Sequence, residues 1–489
     1  MKKKLITKIA ASAASLTLVA GMAAAPADSF ISKFTQNNAI TASAWDYTSF
    51  LDSSGTFYIK LNSTSVENGV CRATEAQIYN VVSSKITKNS VFNIPSKVTV
   101  SGKNFNNVSF TVTVPVTEIG PSAFYNEKDL TSVSFPSSVK KIGYKAFSNS
   151  GLVSLDLPST ITGIASTAFE NCDGLYNVNF KCSQPPITAF IDCDNLTSFN
   201  NVPILNYNPK TGEPILNSGV LNELYAIGSG YDTIKRCPFI QQYADEYINY
   251  IVRTNTNSSD SDIVKAKKLH DWLINHTEYD YDAMGSNNSA HEEWGPFFRR
   301  KNDGKFYAVC AGYAGAYKLL LNAADVDCYY VGGSPLTGTG GGHAWNVVKI
   351  DGNYYHVDAT WDDSNREHYK YFLRSDEFFS SNHEYKWSGL IDDEIKNYQT
   401  GVAIYDMHDL ADVNDDGEVT EDDALEIQKY LIKTQELSEE QLMRADINMD
   451  GEVKMNDAVS IYMALTKMKN DKYTKTLFEY IYIDGKMNV

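Results

Sequence analysis

The sequence predicts a multidomain chain: a β-rich solenoid of repeats, then a mixed α+β domain, then a small all-α unit. Three observations predict it. Phe124, Phe147, Phe169 and Phe190 recur at steps of 23, 22 and 21 residues within similar surroundings. Helical and strand-like patterns alternate irregularly from about residue 238 to 400. Near the C-terminus an acidic loop running into an apolar-periodic helix occurs twice, 34 residues apart. At 489 residues the chain is long for one domain, and its 43% hydrophobic content suffices for real cores.

The N-terminus reads as a secretory signal over residues 1–27. Lys2, Lys3, Lys4 and Lys8 form a basic region, Ile9 to Ala25 is apolar and rich in small residues, and Ala23-Ala24-Ala25 offers a cleavage site. A later cut at Ala42-Ser43-Ala44 stays open. This apolar stretch is shorter than the ~20 residues a membrane span needs, and no other segment is long and apolar enough. The expectation is an exported chain with no membrane span after signal removal. The net charge of −17 argues against a nucleic-acid partner, which would need a basic surface. Seven cysteines, an odd and small number for this length, argue against a disulfide scaffold and leave at least one thiol free.

The solenoid is expected over residues 45–200. Ile119-Gly120-x-x-Ala123-Phe124, Ile142-Gly143-x-x-Ala146-Phe147 and Ile164-Ala165-x-x-Ala168-Phe169 align, each followed by a short apolar strand. A degraded fourth copy carries Phe190, Leu196 and Phe199. No single unit can bury its apolar ladder, so the copies must stack. Cys172 and Cys193, one repeat apart, should be buried thiols in that ladder. The Ser/Thr/Asn/Val-rich residues 45–115 read as a β cap. The pattern resembles the BspA-type leucine-rich repeats of bacterial surface proteins. A connection over 201–237 follows.

In the α+β domain (238–400) helices are expected at Phe239 to Val252 and Ile263 to His276, with Ile263, Ala266, Leu269 and Leu273 on one face. Cys310 opens a further helix. There it meets unpaired backbone N–H groups and the positive end of the helix dipole, which favour a thiolate. His343 follows 33 residues later on a strand that turns at Asp351-Gly352, a strong hairpin signal, and returns through Tyr354 to Asp358. A two-residue loop pairs Ile350 with Asn353 and sets His343 opposite Thr360. Asp358 becomes its diagonal neighbour, with Cβ atoms roughly 7–8 Å apart. Thiol, imidazole and carboxylate are the parts of a cysteine acyl-transfer triad.

The region from about Lys265 to Phe379 resembles the transglutaminase-like superfamily, a papain-type fold. The matching residues are Leu269-His270-Asp271-Trp272 with Tyr279-Asp280, Val309-Cys310-Ala311-Gly312-Tyr313-Ala314, His343-Ala344-Trp345-Asn346 and Val357-Asp358-Ala359-Thr360-Trp361. The resemblance implies Cys310 as nucleophile, His343 as general acid/base and Asp358 as its orienter, with no cofactor for catalysis. Ala311 and Ala359 stand where many members carry Gln and Pro. No oxyanion side chain is identifiable, which leaves the backbone N–H of Cys310.

The all-α unit is expected over 409–470. Between Asp409 and Lys467 there are 16 Asp/Glu against 5 Lys/Arg. Asp412, Asn414, Asp416 and Asp423 stand at loop positions 1, 3, 5 and 12, with Gly417 at 6 and the Glu418 carbonyl at 7. Asp446, Asn448, Asp450, Glu452 and Asp457 repeat the arrangement around Gly451. Calcium takes six to eight hard oxygens, and this spacing supplies them around one sharp turn. Asp at position 12 departs from the usual Glu. The duplicated loop–helix pair resembles a type I dockerin, which implies two Ca2+ ions and a cohesin partner on a cellulosome-like scaffold.

The expected function is therefore an exported, scaffold-attached thiol enzyme, a cysteine peptidase or protein-glutamine acyltransferase acting on a protein or peptide. The alternative is a non-catalytic adhesion component of an assembly engaged in polysaccharide catabolism. Residues 471–489 form a tail without a readable role.

Overall fold

The computed structural model describes residues 49–487 apart from 63–64, 68–69, 104–108, 184, 218–235, 284–288, 300–302, 337–340, 365–368, 386–405 and 450. The expected signal segment lies outside the described residues. No helix among them is long and apolar enough to cross a membrane. The chain divides into two compact units on either side of Asp245 and Glu246.

In the first unit the repeat motif becomes a stack of rungs. Ile119 pairs with Ile142 and Ile142 with Ile164 in parallel register, and Leu155 pairs with Val178, then Val178 with Phe199. The four phenylalanines are buried. Their rings stack at 4.9, 5.4 and 5.5 Å with interplanar angles of 7°, 9° and 10°. Each rung therefore covers the apolar face of the one before it. Backbone bonds cross from rung to rung at the same place, Phe124 N–H to Ala146 C=O and Phe147 N–H to Ala168 C=O. Asn126, Asn149 and Asn171 occupy the left-handed region and form a side-chain ladder, Asn149 donating to Asn126 and Asn171 to Asn149. Cys172 and Cys193 are buried free thiols donating to the carbonyls of Phe147 and Phe169. The cap is a mostly antiparallel sheet in which Lys97–Lys103 pairs with Ser109–Ile119. The connection contains a hairpin, Leu205–Tyr207 with Pro214–Leu216.

In the second unit helix Asp262–His276 buries Ile263, Ala266, Leu269 and Leu273. The Tyr317 hydroxyl, on helix Cys310–Ala323, donates to the Ala266 carbonyl and ties the two helices together. The sheet beside them is antiparallel, in the order 372–374, 353–357, 343–350, 328–335, 383–385. The Asp351-Gly352 turn has φ of +48° and +85°, the doubly left-handed turn that matches strand twist. Ile350 faces Asn353 as expected.

One expectation fails. The ladder ends at Asn346–Val357, and residues 359–364 turn into a helix, so Thr360 does not pair opposite His343. The cause is Asp358, whose Oδ1 accepts the N–H groups of Thr360 and Trp361 at 3.0 and 3.1 Å and caps the new helix.

The C-terminal part has helices Glu421–Leu431, Glu439–Ala445 and Met455–Asp471. The tail is not loose, because Leu477, Phe478, Tyr480 and Ile481 are buried. The Tyr482 hydroxyl donates to the Ile447 carbonyl at 2.6 Å.

Candidate active site and calcium loops

Cys310 is the first residue of its helix, after Val309 in extended conformation, so its N–H has no intrahelical acceptor. Asn346 fixes the helix to the His343 strand, donating to the carbonyls of Ala314 at 2.8 Å and Tyr329 at 3.3 Å. This brings the Cys310 thiol close enough to the His343 ring to favour its charged form. On the other side of that ring, His343 Nε2 lies 2.7 Å from Asp358 Oδ2. The three expected triad residues thus stand together, with Asp358 fully buried and His343 nearly so.

Burial opposes charge on His343. The Asp358 carboxylate and the Cys310 thiol outweigh it and push the imidazole up to about 10. Burial likewise raises Asp358, yet the His343 charge and hydrogen bonds from His343 and His383 hold it well below the usual carboxylate range. The pair therefore sits as carboxylate and imidazolium across neutral pH. Tyr279 stands next to the thiol. Burial first, then Cys310, raises its phenol to about 12, so it remains a protonated donor beside the Cys310 thiol.

Two further features were not anticipated. His383 reaches Asp358 Oδ2 at 3.2 Å and stacks on His343 with centroids 5.4 Å apart. It arrives on a separate strand, and no local period marks it. His343, Asp358 and His383 also carry metal-ligating atom types within 4.8 Å of one another, although here those atoms meet in mutual hydrogen bonds. Behind them, His270 Nε2 meets Asp362 Oδ2 at 3.0 Å, both fully buried. Asp362 Oδ1 accepts the Tyr371 N–H. This pair braces the helix that Asp358 caps.

In the first acidic loop Asp412 accepts the N–H groups of Asp416 and Gly417, Asn414 Oδ1 that of Asp416, and Asp416 that of Glu418. Gly417 at φ +86° and Gly451 at +82° make the sharp turns. Position 12 explains its own departure. Asp423 closes a capping box, accepting from Thr420 N–H, and also binds Asn414 N–H. Asp457 does the same toward Lys454, Ile447 and Asn448. A short carboxylate suits that double duty. Asp446 accepts from Gly451 at 2.8 Å, and Asp450 lies outside the described residues. Burial and the nearby Asp412 raise Asp423 despite its backbone donors. Such a gathering of hard oxygens fits a divalent cation. Asp412, Asn414, Asp416, Asp423 and the Glu418 carbonyl would hold it in the first loop.

Comparison with known proteins agrees with this division. Residues 93–207 match the BspA type leucine rich repeat region in six copies, residues 248–359 the transglutaminase-like superfamily, and residues 410–466 the type I dockerin domain. The chain therefore combines a BspA-type repeat region, a transglutaminase-like domain of papain-type fold and a type I dockerin. The dockerin implies calcium binding and a cohesin partner, and the match over residues 248–359 supports a thiol-enzyme superfamily for that domain. The repeats and dockerin together point to an extracellular or cell-surface setting.

Kyphoscoliosis peptidase of Mus musculus is 26% identical over 124 residues, 23% of this chain and 18% of that protein. The Homo sapiens protein of that name is 25% identical over 131 residues, 25% and 19%. This chain thus spans less than a fifth of the curated relatives it matches. The crystal structure of a TGase has 20% identity and a TM-score of 0.22, with 28% of this chain and 35% of that one covered.

Proposed function

We propose that this chain is an exported, scaffold-attached thiol enzyme, a protein-glutamine acyltransferase or cysteine peptidase working through Cys310, His343 and Asp358. The observation that carries the reading is the 2.7 Å bond from His343 Nε2 to the buried Asp358 carboxylate, with the Cys310 thiol near enough to the same ring to favour its charge. In that reading the Cys310 sulfur attacks the acyl carbon of a glutamine side chain or peptide bond. The oxyanion that forms takes the Cys310 N–H, with the Tyr279 hydroxyl close by. As the C–N bond breaks, His343 gives its proton to the departing nitrogen, and a thioester remains. Water or an amine then attacks the thioester, His343 takes its proton, and the thiolate leaves. Asp358 orients the ring throughout and holds its charge.

Two calcium ions, one per loop, order the dockerin for docking to a cohesin. The two helix faces differ: Gln428-Lys429 in one correspond to Tyr462-Met463 in the other, with Met463 exposed. We infer one preferred docking orientation. Comparable cohesin affinity after exchanging these pairs would refute it.

Turnover should vanish in Cys310→Ala when a glutamine-containing peptide library is offered with and without a primary amine. An isopeptide product indicates transfer, and hydrolysed product indicates a peptidase or amidase. Turnover that survives the substitution sinks the assignment. A non-catalytic adhesion reading draws on the tyrosines exposed on the repeats, Tyr125, Tyr144 and Tyr176. It gains if Cys310 fails to react with a thiol-directed electrophile at neutral pH.

A further inference from the structure

Asp358 is completely buried, and each of its oxygens is held twice or more. Oδ1 accepts two backbone N–H groups, from Thr360 and Trp361. Oδ2 meets two imidazoles, His343 at 2.7 Å and His383 at 3.2 Å. The backbone bonds alone would leave the carboxylate free to pivot about Oδ1, and His383 removes that freedom.

The fold holds His383 tightly. Its ring is enclosed by Trp361, Phe379 and Trp345 with centroids 4.3, 4.5 and 4.8 Å away. Its strand, His383–Tyr385, pairs with 333–335, so one strand lies between His383 and His343. That approach requires a glycine: a Cβ on Gly333 would come 2.3 Å from the Glu384 carbonyl oxygen and 2.4 Å from the Trp345 ring.

Resting on the triad reading, we propose that His383 is a positioning residue, a second imidazole donor that locks Asp358 Oδ2 and thereby the plane and direction of the His343 ring. Asp358, as an anion, can only accept, so the proton of His383 must be on Nε2. Burial keeps this ring neutral against the pull of Asp358, with His343 and His356 also opposing a charge. Its Nδ1 faces the Asn382 side-chain amide oxygen, so a neutral ring protonated on Nε2 requires that amide to be turned with its nitrogen toward the ring. The charged and titratable groups around Asp358 are His343, His383, Tyr279 and Asp362, the last acting one helical turn away. His383 is among the groups that hold Asp358 low. Losing its donor should therefore raise Asp358 and shift the acid limb of Cys310 reactivity to higher pH.

The test uses the full chain and iodoacetamide, with alkylation of Cys310 followed by mass spectrometry from pH 4 to 10 (~ range spanning the carboxylate and imidazole values). His383→Phe keeps a ring in the aromatic box but cannot donate, whereas His383→Gln donates without the ring. In His383→Phe, alkylation at neutral pH should fall about 10- to 100-fold, the rate equivalent of one charge-assisted hydrogen bond, and the acid limb should move up. His383→Gln should recover most of both. If His383→Phe melts like the wild type and keeps its rate and acid limb while His343→Ala is slow, the role of His383 is refuted and the triad stands. If His343→Ala alkylates like the wild type, the triad reading falls and this inference with it. Nitrogen-15 chemical shifts of the unsubstituted chain decide independently of any variant's folding. A neutral His383 protonated on Nε2 supports the proposal, and a proton on Nδ1 overturns it.

Discussion

Replacing Asp358 by Asn removes a charge while keeping the side chain's shape, so it isolates what the carboxylate does for His343. His343 is raised from 6.5 to about 10 even though burial pulls the other way. That rise corresponds to roughly 5 kcal/mol favouring the imidazolium. Without the anion, burial dominates and the ring is neutral at pH 7. The thiolate then loses its charged partner, so Cys310 alkylation at pH 7 should fall about tenfold. The deficit should shrink at alkaline pH, where hydroxide removes the thiol proton without help from an imidazole. The assay is the rate of Cys310 modification by iodoacetamide against pH, read by mass spectrometry. That readout separates Cys310 from buried thiols such as Cys172, Cys193, Cys237 and Cys328. Linkage gives a second readout. The contribution of His343 to stability is complete below its ordinary pKa and is lost as pH rises through about 10. That of Asp358 is present above its ordinary pKa and is lost as pH falls through its depressed one. Asp358→Asn should remove both limbs. Wild-type alkylation at pH 7 in the variant would refute the coupling of carboxylate, imidazole and thiol.

Phe147 is stacked on both neighbours in the phenylalanine ladder, so Phe147→Ala should cost about 3–5 kcal/mol. Hydrogen exchange should rise across residues 119–199 and not in the catalytic domain; protection unchanged at Phe124 and Phe169 would contradict the stacking account. Asp423→Ala should abolish one of two calcium-binding events in a titration calorimeter and loosen the start of helix Glu421–Leu431 by about 1 kcal/mol through loss of its cap. Two undiminished binding events would show that Asp423 is not a ligand.

The sequence made some parts of the fold readable and hid others for identifiable reasons. The His343 hairpin was readable because Asp351-Gly352 admits almost one turn geometry, and register then follows by counting. Counting failed at Thr360 because a side chain, Asp358, captured two backbone N–H groups and started a helix, an event that strand pattern does not encode. The rungs were readable wherever the Ile-Gly-x-x-Ala-Phe motif survives. Earlier rungs escaped because they use different residues: Phe92 meets Phe124 edge-on at 5.7 Å, and Val91–Asn93 pairs in parallel with Ser132–Ser134. His383 was hidden because it reaches the site across an intervening strand and through a glycine, a relation with no local signature.

The contacts between the transglutaminase-like domain and the dockerin have no signature in sequence. The segment leading into the dockerin makes buried contacts with the preceding domain, and the tail after the dockerin packs on that segment. Arg374, at the end of strand Phe372–Arg374, pairs with Asp406 at 3.2 Å with both side chains largely buried. His408 Nε2 reaches the Phe372 carbonyl at 3.2 Å, and the Phe478 ring of the tail packs on His408 at 5.1 Å. These contacts link the two folds, and removing one partner of the pair would leave a buried charge uncompensated at a cost of about 3–5 kcal/mol. Calcium that orders the loops should then stabilise the catalytic domain as well. Chelation should lower the melting temperature reported by Trp345 and Trp361, which sit beside His343 and far in sequence from the loops. In Arg374→Met that calcium-dependent shift should shrink. A tryptophan transition indifferent to chelation in the wild type would mean that the dockerin folds as an independent bead, and that the Arg374–Asp406 pair does not transmit its stability.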